Sequence, residues 1–221
     1  MSAPAPGAGG DRPDSLPAFY RLACRLAQAA GRILFGMTVG PVPPASRTGG
    51  CLFACNHKSY WDPPLGGSSI PRFVHFMAKE ELFRFGPAAR ILRRLGALPI
   101  RRRRPSRRQM GRYLEILGSG GALLVFPEGT RIRRPGLGRP LSGVGFLARQ
   151  AGVPVVPMYI GGTYPWWRAL LRIRPVAVRF GEPLRFAGGT DGEIASRVME
   201  AIGRLADPED VTGASSGQEG D

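Results

Sequence analysis

Short apolar runs of strand length, separated by stretches of helical periodicity, fill residues 51–206 and leave few architectures open. Runs 51–55, 73–77, 97–100, 122–126, 153–160 and 176–180 read as strands. Between them, 80–95 is helical and restarts at Pro87. Ser106 caps a helix with Met110, Tyr113, Leu114 and Leu117 on one face, stopped by Gly118. A glycine-weakened helix follows over 141–151. Thr190 and Glu193 form a capping box for a last helix with Ile194, Val198, Ile202 and Leu205 inward. This alternation predicts an α/β fold, a single three-layer domain with a largely parallel central sheet flanked by helices. Sites in such sheets lie past the carboxyl ends of strands. The residues that follow 55 and 126 are therefore the first to inspect.

Composition and punctuation set the remaining divisions. Residues 1–15 read as a flexible lead, 16–40 as an amphipathic helix, 45–206 as the main domain, and 207–221 as a disordered acidic tail. Pro41, Pro43 and Pro44 mark the connector before the domain. Within 16–40, Arg21, Arg25 and Arg32 share one helix face and Leu22, Leu26, Ala29 and Ile33 another. That pattern suits a helix lying on a lipid surface and equally one packed on the domain. No signal peptide is expected, and no uncharged stretch approaches the roughly 20 residues of a membrane span.

The net charge is +15, with many of the acids gathered at the two ends. A body that basic favours an anionic partner, such as a phospholipid surface, nucleotide phosphates, nucleic acid or an acidic protein. Apart from Lys58 and Lys79 its cations are arginines, which fork onto phosphate with paired bonds, although a GC-rich coding sequence yields the same bias. Three cysteines, Cys24, Cys51 and Cys55, form no disulfide framework and suggest a reducing compartment. Cys51, Cys55 and His57 share parity on a strand, but their spacing fits no common zinc pattern, and no metal is expected.

Only two histidines exist, His57 and His75, so a base for neutral pH has few candidates. His57 follows a strand and has Asp62 five positions on, with Pro63 next, where a helix capped by Asp62 would begin. A turn between them brings the carboxylate to Nδ1. It would fix the tautomer, stabilise the imidazolium and leave Nε2 to take a proton from a hydroxyl. Lys58 would steady a developing anion. A solvent-facing His57 with a merely capping Asp62 is the plainer alternative. The second marked stretch, Phe126-Pro127-Glu128-Gly129-Thr130-Arg131, ends another strand. It would present Glu128, Thr130, Arg131 and backbone N–H groups to one spot, with Arg131 suited to phosphate and Glu128 to orienting it or a hydroxyl. A decorated turn with a local Glu–Arg pair would look the same in sequence.

Together these stretches, Asn56-His57-x4-Asp62 and Phe126–Arg131, resemble motifs I and III of the 1-acylglycerol-3-phosphate acyltransferase family. Gly96-Ala97-Leu98-Pro99-Ile100-Arg101-Arg102 resembles motif II and Val153-Pro154-Val155-Val156-Pro157 motif IV, in matching order over about 45–185. The resemblance implies transfer of an acyl group from acyl-CoA or acyl-carrier protein, as co-substrate rather than cofactor, to a lysophospholipid hydroxyl. Lysophosphatidic acid is the first expected acceptor, with another lysophospholipid, an amino-acid lipid or a polyketide-type alcohol as alternatives. It makes His57 the base and Asp62 its orienter. Glu128, Gly129, Thr130 and Arg131 would hold the acceptor, with Arg102 and, more weakly, Lys79 on its phosphate. Pro157 would shape a pocket. It also implies a peripheral or monotopic place on the cytoplasmic face of the membrane. Two positions depart from the family pattern: Arg101 stands where Asp is usual, and Leu141-Ser142-Gly143 replaces a basic pattern.

Other features point less sharply. Arginines 93, 94, 101–104, 107 and 108 cluster around motif II and suit anionic headgroups or an acidic carrier protein. Tyr164, Trp166, Trp167, Leu170 and Leu171, flanked by Arg168 and Arg172, suit either an interfacial patch or a core. Arg133–Gly138 matches a short coenzyme-A loop pattern in the wrong context. His75, inside an apolar strand, reads as a packed histidine. A nucleic-acid module lacks a recognition helix, zinc finger or paired-aromatic sheet, and a silent lipid-binding scaffold sits poorly with intact His57, Asp62, Glu128 and Arg131. Oligomeric state has no signature.

Overall fold

The computed structural model describes residues 16–101 and 106–208. The lead over 1–15, Arg102 to Arg104 of the arginine cluster, and the acidic tail beyond 208 lie outside the described residues. Seven strands form one sheet: β1 (Thr38–Val39), β2 (Cys51–Cys55), β3 (Val74–Lys79), β4 (Ala97–Ile100), β5 (Ala122–Val125), β6 (Val155–Gly161) and β7 (Ala177–Phe180), in the order β1-β7-β6-β2-β5-β3-β4. Every pairing is parallel except β6 with β7. The helices are α1 (Ala18–Phe35), α2 (Asp62–Ser68), α3 (Gly86–Arg94), α4 (Arg107–Gly118), α5 (Gly143–Ala151), α6 (Trp166–Leu170) and α7 (Asp191–Arg204).

β2 is the central strand, between β5 and β6, and all five of its residues are buried. Alternate side chains enter two cores. Leu52 and Ala54 join Tyr113, Leu147 and Val198 on the side of α4, α5 and α7. Cys51, Phe53 and Cys55 join Phe35, Leu65 and Ala169 on the side of α1, α2 and α6. Helices on both faces explain why the strand reads as an unbroken apolar run. The three-layer α/β architecture is the one the sequence predicts.

Local chemistry sets the helix ends. Ser106 with Gln109 and Thr190 with Glu193 make complete capping boxes on α4 and α7. Left-handed Gly36 and Gly152 end α1 and α5. Gly145 of α5 packs so near α7 that a Cβ there would lie 1.9 Å from the Asp191 carbonyl oxygen.

Four expectations are corrected. The 16–40 segment is not wholly helical: α1 stops at Phe35, and Thr38–Val39 joins the edge of the sheet beside β7. Two residues carry no periodicity to read. The 80–95 stretch divides into a 3-10 turn over Glu80–Phe83 and α3, and the 141–151 helix starts at Gly143. Residues 166–170 form a helix too short to show periodicity in the sequence. Asp207, placed in the tail, is tied by the Arg179 guanidinium at 2.7 Å.

α1 resolves the question of its own faces. It packs through Tyr20, Gly31 and Phe35, while Leu22, Leu26 and Ile33 stand 56%, 62% and 68% exposed. The apolar stripe points away from the domain. Among the described residues no helix is long and apolar enough to cross a membrane.

Candidate active site

Parallel strands bring the marked stretches to one edge. β2 and β5 run side by side, so residues 56–62 and 126–131 leave the sheet together at its carboxyl end. Asn56 fixes the exit of β2. Its amide donates to the Ile160 carbonyl at 3.0 Å and accepts from the Ile160 N–H at 2.8 Å, tying the turn to β6.

His57 is 8% exposed and Asp62 fully buried. Asp62 Oδ2 lies 2.9 Å from His57 Nδ1 and accepts the N–H groups of Lys58 at 2.6 Å and Ser59 at 2.7 Å. The chain folds back in one tight turn, and three donors meet one oxygen. Oδ1 finds no donor among the described residues. Since the carboxylate accepts, Nδ1 must donate, and Nε2 keeps its lone pair. The imidazole stacks on Phe126, with centroids 4.3 Å apart and planes 28° apart. Asp62 is the first residue of α2 rather than its cap; that position is Trp61's. The carboxylate instead gathers the turn before the helix.

Glu128 faces inward. Its Oε2 accepts the His57 N–H and its Oε1 the Gly138 N–H, both at 2.7 Å. Burial pushes its carboxyl above the usual range, while those two bonds and the Lys58 and His57 charges pull it down. Lys58 turns away from the imidazole and donates through Nζ to the Arg134 and Gly136 carbonyls at 2.8 Å each. The Ile132 N–H reaches the His57 carbonyl at 2.8 Å, and the Leu141 N–H reaches that of Pro127 at 2.8 Å. Loop 131–140, which has no helix or strand, is thus anchored at four points along its length and again at Leu141 just after it.

The remaining predicted residues divide. Arg131 lies over the Tyr60 ring, 3.4 Å from its centroid. Thr130 is exposed, and Gly129 is left-handed at φ 64°. Glu128, Thr130 and Arg131 therefore do not converge on one spot as the sequence suggests. Lys79 is exposed at the carboxyl end of β3, on the same sheet edge. Arg102 lies outside the described residues, while Arg101 beside it pairs with Glu80 at 2.6 Å. Pro157 pairs with Ala54, whose side chain enters the core of α4, α5 and α7, and it packs beside Gly181. It sits on the opposite side of the sheet from the imidazole. Lys58 as a loop anchor and Phe126 as the stacking partner were not foreseen. The only sequence signal for either is position, next to His57 and two residues before Glu128. His75 is half-buried, its Nδ1 3.1 Å from the Gly96 carbonyl. Burial pushes the Cys55 thiol well up and that of Cys51 to about 12, so neither is a ready thiolate. An open cleft of about 930 Å³ lined by Arg139, Ser142 and Arg197 lies beside α5 and α7, and His57, Asp62 and Glu128 are not among its lining residues.

An imidazole oriented by a buried carboxylate sits at the carboxyl edge of a parallel sheet, beside a fixed basic loop, in an arrangement able to accept a proton at Nε2. The chain belongs to the Acyltransferase family, whose model matches residues 38–161. A 1-acyl-sn-glycerol-3-phosphate acyltransferase of Bacillus subtilis is 29% identical over 140 residues, 62% of this chain and 68% of that protein. A lyso-ornithine lipid O-acyltransferase of Pseudomonas aeruginosa is 34% identical over 110 residues, 49% of this chain and 42% of that one. The fold is shared with the 1-acyl-sn-glycerophosphate (LPA) acyltransferase PlsC from Thermotoga maritima, with TM-score 0.67 and 25% identity, covering 84% of this chain and 77% of that one. The resemblance seen in the four motifs is thereby borne out.

Proposed function

We propose that the protein transfers a fatty acyl group from acyl-CoA or acyl-carrier protein to the free hydroxyl of lysophosphatidic acid, forming phosphatidic acid. The buried 2.9 Å contact between His57 and Asp62 carries this reading. Nε2 takes the hydroxyl proton as the oxygen attacks the thioester carbonyl. The tetrahedral intermediate collapses with loss of thiolate, which recovers the proton from the imidazolium. Asp62 holds the ring in the required tautomer and balances its transient charge. Arg131 and the exposed Arg133 and Arg134 of the anchored loop supply cations for the phosphate. Arg102, Gly129 and Thr130 are assigned to the acceptor by the motifs they occupy, and Lys79, more weakly, by its place at a position where the family often has a basic residue. Glu128 acts through the turn it clamps. The proposed chemistry uses no cofactor; the donor thioester is a co-substrate.

We place the enzyme peripherally on the cytoplasmic face of the membrane. The outward apolar stripe of α1, between arginines, supports the peripheral attachment, and the cytoplasmic face follows the family resemblance. The lyso-ornithine lipid relative favours a second acceptor, a lysolipid with an amino-acid headgroup.

The test is an acyl-transfer assay of purified protein beside His57→Ala. Both donors are offered, with lysophosphatidic acid and lyso-ornithine lipid as acceptors. Phosphatidic acid from wild type and a loss of at least about 100-fold in the variant are expected. Full activity in His57→Ala would remove the base, and product from lyso-ornithine lipid alone would change the acceptor.

A further inference from the structure

We infer that the segment 164–173, built around α6, is a second lipid-docking element that forms one bilayer-facing surface with α1. The inference rests on the lipid-acceptor reading above. Trp166 and Trp167 are 52% and 44% exposed, and Leu170, Leu171 and Ile173 are exposed beside them. Only Ala169 of this short helix enters the core. These large apolar side chains are therefore not the core that their spacing also allows.

α6 and α1 are joined. The Arg172 guanidinium donates to the Ile33 carbonyl at 3.1 Å, and the Val176 N–H to that of Phe35 at 3.0 Å. The exposed Leu170, Leu171 and Ile173 therefore lie beside the Ile33 end of α1, where Leu22, Leu26 and Ile33 are exposed too.

Charge selects the occupant. α1 carries Arg21, Arg25 and Arg32 and no acid, and residues 164–174 carry Arg168, Arg172 and Arg174 and no acid. Tryptophans and leucines interleaved with arginines match the headgroup zone of an anionic bilayer, where indoles sit at the interface and guanidinium groups meet phosphate. The surface also covers the right side of the sheet. Phe35 of α1 meets Trp61 edge-on at 5.1 Å, one residue from Asp62. A lysolipid resting in the bilayer would be presented beside the imidazole.

The native tryptophans make the test direct. The chain has Trp61, Trp166 and Trp167, so wild type and W166F/W167F are compared on phosphatidylcholine–phosphatidylglycerol vesicles with brominated acyl chains. Bromolipid is expected to quench the wild type strongly and W166F/W167F weakly. W166E/W167E, with its circular dichroism unchanged, is expected to bind plain vesicles roughly tenfold more weakly. Equal quenching of wild type and W166F/W167F, with vesicle binding intact, would overturn the role of α6 while leaving the peripheral placement standing. Failure of wild type to bind vesicles would overturn both. Strong tryptophan quenching without acyl transfer would uphold the docking surface and remove the acceptor reading alone.

Discussion

Asp62 Oδ2 accepts from the His57 ring and from two backbone N–H groups at once, so one atom sets both the tautomer of the imidazole and the path of the turn that carries it. Asp62→Asn offers the ring either a poorer acceptor or a competing donor. It is expected to lower kcat roughly 10²- to 10⁴-fold with circular dichroism unchanged, and near wild-type turnover would deny Asp62 its part. Glu128 gives a prediction in pH. Burial raises its carboxyl above 4.5, so the folded chain holds that proton more tightly than the unfolded one. The resulting stability is complete below 4.5 and fades as pH rises through the raised value. Glu128→Gln removes this dependence. The stability advantage of wild type over the variant, from urea midpoints at several pH values, should shrink from acid towards neutral pH. A widening gap would reverse the assignment.

Loop 131–140 is an element without secondary structure, and its order comes from anchors rather than from a ladder. Lys58→Met removes the ammonium from the Arg134 and Gly136 carbonyls while keeping the aliphatic stem. Faster amide exchange across 132–138 and a raised KM for the phosphorylated acceptor are expected, with kcat less affected; unchanged exchange would mean that the other anchors suffice. Gly145→Ala tests the contact of α5 with α7, where a Cβ meets the Asp191 carbonyl. A loss of about 1–3 kcal/mol in urea denaturation is expected. The sequence makes α4, α7 and the buried strands legible because each repeats a pattern over several residues. β1 and α6 are too short to repeat anything. At the site, the order of His57, Asp62, Glu128 and Arg131 along the chain is readable. The inward turn of Glu128 and the outward reach of Lys58 are not, because both depend on carbonyl and N–H groups some 10 to 78 residues away.

At the scale of the molecule, charge and apolar surface act together. The net charge is +15, so binding to anionic vesicles should weaken as salt shortens the screening length from about 10 Å at 0.1 M to about 3 Å at 1 M. The apolar contribution of α1 and α6 should leave a salt-resistant remainder. Sedimentation across a salt series measures both parts, and a flat series would show that the arginines contribute nothing to docking. The sheet order has a further consequence, for a chain still being made. β2 holds the segment leading to His57, yet its only neighbours are β5 and β6. When residue 121 leaves the ribosome, every residue of that turn has been synthesised, but the strand beneath it is bare along both edges. The imidazole waits for residues 122–161 to close those edges, with Ile160 fastening Asn56 near the end. Until then a strand whose every residue is buried in the finished fold stands open, and the nascent chain is vulnerable to mispairing with other chains.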